Sequence, residues 1–174
     1  PNSIHGEDAS NRDTSDAPLW YGVVCEEAAE LLGESLYDIT VDKHGRTVAG
    51  VLRGIAEGYQ RGTPNGIRMD AASGLVWSPK HFTWMDTNFP AGTPRAGYPV
   101  EIQVLWIRLL RQLGRIASDS EKQSWIALAD RAEASLSKYF WLEAQGYLAD
   151  LLVADTIRPA AAAQTDNALR NNCL

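Results

Sequence analysis

The stretch from Pro99 to Ala117, PVEIQVLWIRLLRQLGRIA, decides the fold. Proline suits the first turn of a helix, where its missing N–H has no intrahelical partner to lose. Behind it Val100, Ile102, Val104, Leu105, Ile107, Leu109, Leu110, Leu113 and Ile116 recur at spacings that wrap most of a helical circumference. A helix apolar nearly all round needs protein on several sides. Immediately downstream, Ser118 and Glu121 have the spacing of a capping box. They open a helix to about Tyr139, with Trp125, Leu128, Ala129, Ala132, Leu136 and Phe140 on one stripe. The turn between the two helices is short, which predicts an antiparallel helical hairpin.

Working back from this hairpin, residues 63–98 carry Gly, Pro, Asn and Asp throughout and aromatics without helical period. The reading is a long structured loop with short strands, and such a loop in a helical chain builds a binding surface. Before it, Val48, Val51, Leu52, Ile55 and Tyr59 predict a helix from about Gly45 to Arg61, ended by Gly62 and Pro64. DAPLWYGVVCEEAAELLG, from Asp16 to Gly33, predicts another, with Asp16 and Pro18 at its start and Gly33 at its stop. After Trp141 the chain suggests a strand over Tyr147 to Val153, and its Ala run at 160–163 a loop or weak helix. The whole of 1–174 reads as a single, mostly helical domain.

The 174 residues have 45% apolar content and a net charge of −6, with no basic stripe. This balance disfavours nucleic acid as a partner and is compatible with a neutral sugar polymer. No run approaches the roughly 18 apolar residues of a membrane span, and the first residues, PNSIHGEDASNRDTSD, lack the order of a signal peptide. A soluble, cytoplasmic protein without a membrane partner is the expectation. Pro1 at the start and LRNNCL at the end suggest that both ends were cut from something longer. Cys25 and Cys173 are too few and too far apart for a disulfide framework or a metal site.

Three clusters pair aromatic rings with carboxylates: Asp16 with Trp20, HFTWMD at 81–86, and PRAGYPVEIQ at 94–103. Sugar recognition needs that pairing, because ring faces meet the apolar C–H surfaces of the sugar while carboxylates and guanidinium groups bond its hydroxyls. Each cluster also has a plain structural reading. Asp16 suits a helix N-cap, Trp20 and Trp84 suit a core, and Glu101 in a first helical turn complements the dipole.

The ordered set of motifs carries a resemblance that spans nearly the whole chain. PNSIHGEDASNRDTSDAPLW resembles the segment of bacterial and archaeal glycogen-debranching glucosidase domains that runs from Pro-Asn through an Asn into Asp-Ala-Pro/Thr-Leu-Trp. GLVWSPKHFTWMDTNFPAGTPRAGYPVEIQVLW is similar to that family's Thr-Trp-Met-Asp block followed by Thr-Pro-Arg, Gly, Pro-Val-Glu and Leu-Trp. DNALRNNCL resembles its Leu-Arg-Pro-Asn-Gln block, with Asn171 where the family usually has Pro and Cys173 where it has Gln.

The resemblance implies an all-α fold, a partial six-hairpin α/α toroid whose long loop carries short β strands. It implies hydrolysis of the α-1,6-linked glucose at a trimmed glycogen branch point with inversion, and no metal or organic cofactor. Inversion requires two carboxyl groups about 6.5–9.5 Å apart, one protonating the leaving oxygen and one activating water. By motif position Asp16 is the general acid, and to serve it must hold its proton near neutral pH, which burial beside Trp20 would favour. The partner base in this family lies downstream of the Leu-Arg-Pro-Asn block. Asp86 and Glu101 are assigned to hydroxyl recognition at the terminal-glucose subsite, Trp20 and Trp84 to ring faces, and Arg95 to a hydroxyl or carboxylate contact. Asn11 and His81 also fall within matched segments.

Two rival readings stand beside this one. GYPVEIQ at 97–103 resembles the alkaline/neutral invertases, whereas TWMDTNFPAGTPRAG follows the debranching pattern in its Thr-Pro-Arg. A non-catalytic glycan-binding or assembly module is the other. The glucan is the expected partner, and self-association is expected through apolar faces left uncovered on the 99–117 helix.

Overall fold

The computed structural model describes residues 12–85 and 94–172. Its frame is four helices: α1 (Ala17–Leu32), α2 (Val48–Arg61), α3 (Val100–Ile116) and α4 (Asp119–Phe140). About half of it is helical, so the all-α expectation holds in the coarser form of a mostly α chain with small antiparallel sheets.

The helix predicted from the 99–117 stretch is α3, and it is the centre of the molecule. It forms the antiparallel hairpin with α4 and packs on α1 and α2 as well. Ile102, Trp106 and Leu110 are completely buried, each such side chain contributing about 1.5–3 kcal/mol relative to exposure. The hairpin closes tightly at Gly114, where a Cβ would stand 2.9 Å from Ile126 Cγ1. The apolar circumference of α3 is therefore covered within the chain, which corrects the expectation of uncovered faces there. Among the helices, α1 carries exposed apolar side chains instead, where Val24, Leu31 and Leu32 are open to solvent.

Local chemistry sets the helix ends. Thr47 caps α2 by accepting from Gly50 N–H at 3.1 Å, which starts the helix after Gly45. Ser118 precedes α4 but makes no capping bond to its backbone; its hydroxyl meets the Glu121 carboxylate at 3.2 Å. That carboxylate also pairs with Arg53 at 3.1 Å, so the expected capping box does not form.

The loop expected over 63–98 contains β1 (Arg68–Met69) and β2 (Val76–Trp77), a short antiparallel pair. β3 (Gly97–Pro99) leads directly into α3. The single strand expected over 147–153 is two. β4 (Trp141–Leu142) pairs with β5 (Tyr147–Leu148), while β6 (Leu151–Val153) lies between β3 and β7 (Gln164–Asp166). The break falls at Ala149 and Asp150, where the pairing partner changes. The Ala run forms a short 3-10 turn at Ala160–Ala162. At Gly97 the backbone has φ 132°, and a Cβ would lie 2.1 Å from Leu152 O, so only glycine lets β3 approach β6. No helix among the described residues is long and apolar enough to cross a membrane.

Candidate functional site

Arg95 organises the region where the loop returns to α3. It sits two residues before Gly97, with φ 50°, and its side chain is 1% exposed. Its Nη1 and Nη2 both donate to the Glu101 carboxylate, the Nη2–Oε2 distance being 2.6 Å. Glu101 is presented by the first turn of α3. On its other side Arg95 donates from Nε and Nη2 to the Asp150 carboxylate at 3.1 and 3.0 Å, and from Nη1 to Thr83 Oγ1 at 3.1 Å. Burial alone would lower the Arg95 pKa; Glu101, then Asp150, outweigh it and the pKa is raised. A buried cation is tolerated when paired and hydrogen-bonded in this way.

Asp150 joins this pair to the last described segment. Arg170 Nη2 forms an ion pair with Asp150 Oδ2 at 3.0 Å and donates to Asp166 Oδ2 at 2.6 Å. Asn171 donates from Nδ2 to Asp150 Oδ1 at 2.7 Å, and its Oδ1 accepts from Trp84 Nε1 at 3.0 Å. Three sequence-distant blocks, 83–85, 95–101 and 170–171, thus meet around one carboxylate. Sequence reading missed Asp150. The signal was one acid inside the apolar run YLADLLVA, since a charge there needs a buried partner.

Asp16 is linked to this cluster through its neighbour Ser15. As the N-cap of α1 it accepts from Ala17 N–H at 2.8 Å and from Thr14 Oγ1 at 2.6 Å, both on Oδ1; the capping role read from the sequence is present. The preceding Ser15 donates its N–H to Phe82 O at 2.6 Å and shares a hydroxyl contact of 2.7 Å with Ser78. Phe82 adjoins Thr83, so Asp16 and the Arg95 network lie at opposite ends of one short bonded path. Tyr59 donates to Ser15 O at 2.8 Å, and burial, then the nearby Asp16 charge, push its hydroxyl pKa well up. A cleft of about 250 Å³ opens beside Thr14, Pro18, Tyr59 and Ile67.

The two predicted ring faces are accessible. Trp20, one helical turn beyond Asp16, is 41% exposed and Trp84 is 62% exposed, so neither is a core residue. Arg95 and Glu101 are both buried and bound to each other. Asp86 and Asn11 lie outside the described residues. His81 has φ 63° and donates its N–H to Pro94 O at 2.9 Å.

Among the described residues, the three non-glycine positions with left-handed backbone are His81, Arg95 and Asn171, and all three belong to this region. Such conformations cost on the order of 1–3 kcal/mol each and cluster at functional sites. Among the described residues no group of three or more His, Cys, Asp or Glu side chains is placed to hold a metal ion.

No curated protein and no solved structure matches the chain. The family model described as amylo-alpha-1,6-glucosidase matches residues 1–174, and the chain, with its carboxylate-and-tryptophan cluster, belongs to that family.

Proposed function

We propose that the chain contributes the acid side of a glucosidase site that removes α-1,6-linked glucose from branched glucan by an inverting mechanism. One observation carries the reading: Asp16, only 7% exposed, is tied through Ser15 to the loop that presents Trp84, in a chain of the amylo-alpha-1,6-glucosidase family. With Oδ1 engaged by Thr14 and the α1 backbone, Oδ2 is the oxygen that would deliver the proton to the leaving glycosidic oxygen. Trp20 and Trp84 supply ring faces, and Asp86 a hydroxyl contact. Arg95 and Glu101, closed on each other, form the wall that holds the Trp84 loop behind the subsite. The resemblance puts the partner base downstream of the block at 168–172, and no carboxylate named here is assigned that part.

In the same reading the α3–α4 hairpin is one of the paired helices of an α/α toroid. The exposed apolar stripe of α1 supports it, because a neighbouring helix of the ring would cover Val24, Leu31 and Leu32.

The test is glucose release from a glucan oligosaccharide with a single α-1,6 branch, using the full-length protein and its Asp16→Asn variant, with sucrose as the competing substrate. Loss of a general acid lowers kcat by about 10²–10⁴-fold while oligosaccharide binding persists. A variant as fast as the parent removes Asp16 from the mechanism; hydrolysis of sucrose in place of the branch points to an invertase-like enzyme; binding without turnover by the parent points to a glycan-binding module.

A further inference from the structure

Trp84 poses a question of its own. Its ring is 62% exposed, so packing does not fix its angle, yet a sugar platform works only when its face is held in one orientation. Among the described residues the hydrogen bond that holds it is polar and specific: Nε1–H donates to Asn171 Oδ1 at 3.0 Å. The opposite end of the same amide donates to Asp150 Oδ1 at 2.7 Å. An indole N–H can only donate and an ionised carboxylate can only accept, so the amide between them has one permitted orientation.

Each member of this relay is anchored from behind. Asp150 is fully buried, and its Oδ2 is held by Arg95 Nε at 3.1 Å and Arg170 Nη2 at 3.0 Å. The carboxylate therefore cannot turn. Asn171 has φ 56°, a left-handed conformation that asparagine tolerates better than most residues. Its neighbour Asn172 clamps the segment to β5, accepting from Leu148 N–H and donating to Leu148 O, both at 2.9 Å. Position 171 is also where the sequence departs from Leu-Arg-Pro-Asn-Gln. A proline has no side-chain amide and its ring fixes φ near −65°, so it could make neither the bonds nor the backbone seen here.

We infer that Asn171, held by the buried Asp150 carboxylate, is a positioning residue that fixes the Trp84 ring and thereby sets how this chain grips its glucan. The inference rests on the reading of Trp84 as a sugar platform. It predicts that the relay acts on substrate binding more than on bond cleavage, because neither Asn171 nor Asp150 reaches a reacting atom in that reading.

The experiment uses the full-length protein, the singly branched glucan oligosaccharide, and the variants Asn171→Gly, Trp84→Phe and both together. Glycine keeps the left-handed backbone and deletes only the amide. Asn171→Gly is expected to raise KM by about fivefold to tenfold with kcat within about twofold, and to add nothing once Trp84 is already Phe. In the parent, the Trp84 indole N–H resonance, assigned by its loss in Trp84→Phe, is expected downfield of a free indole and slow to exchange. In Asn171→Gly it moves to the free position. An indole N–H that exchanges at the free rate in the parent overturns the relay without any variant having to fold. So do additive effects of the two substitutions on KM. If Trp84→Phe alone leaves KM unchanged, the sugar-platform reading falls, whereas a shifted, protected indole signal still upholds the relay.

Discussion

The helical frame and the loop-and-strand cluster both bury polar side chains, and they do so by opposite means. Apart from Glu101, which belongs to the cluster, the buried polar side chains of α3 are neutral amides bonded mainly to backbone. Gln103 accepts from Val76 N–H at 2.7 Å and donates to Val76 O at 2.9 Å and Pro99 O at 3.0 Å, completing β2 as a further strand would. Gln112 likewise donates to Gly22 O at 3.1 Å and to the Tyr37 hydroxyl at 3.0 Å. Around Arg95 the buried groups are ions serving one another. A neutral amide bonded to backbone adds rigidity at low desolvation cost, whereas a buried ion network is tolerated only while complete. The frame can lose a member and weaken; the cluster loses one and fails.

Three substitutions break or sharpen this contrast. Arg95→Met leaves Glu101 and Asp150 buried without their cation, and is expected to cost about 3–5 kcal/mol in urea unfolding. A loss no larger than that from an amide substitution would erase the distinction between the regions. Gln103→Met keeps the volume of a buried side chain but strands the N–H and C=O of Val76, and about 1–3 kcal/mol should go, with the transition still cooperative. The smallest effect belongs to the edge of the frame. Glu26 pairs with Arg108 and Arg115, each at 2.7 Å, but both arginines are about half exposed, so Glu26→Gln should cost no more than about 1 kcal/mol. Burial alone would raise the Glu26 pKa, yet Arg108 and then Arg115 outweigh it and the pKa is lowered. Its contribution is therefore present above the ordinary glutamate pKa of 4.5 and lost as pH falls through the lower folded value. The gap between parent and variant should close in acid; a gap that persists below that range would assign the effect to packing.

The same contrast explains what the sequence made legible. The α3–α4 hairpin was readable because helical burial repeats locally, and the stripe from Trp125 to Phe140 declares itself within one segment. Helix starts were readable at Asp16 and at Ser118, although the capping box expected at Ser118 does not form, because Glu121 pairs with the distant Arg53. In the site, Trp84, Arg95 and Glu101 stood out as motif residues. Their relation did not, because Arg95 and Asp150 are 55 positions apart and nothing in either neighbourhood names the other. The exposure of Trp20 and Trp84, and the mutual burial of Arg95 and Glu101, are likewise products of tertiary packing.

The order in which the ions of that network leave the ribosome follows from their places in the chain. At about 5–20 residues per second, Asp150 emerges several seconds after Arg95, and Arg170 and Asn171 later still. Through that interval the arginine and glutamate can be only a hydrated pair at the base of a nascent helix, because burying them before the second carboxylate exists would leave hydrogen bonds unmade. The helices can collapse as they are made, whereas the loop that carries Trp84 has to wait for the segment beyond residue 166 before it can set.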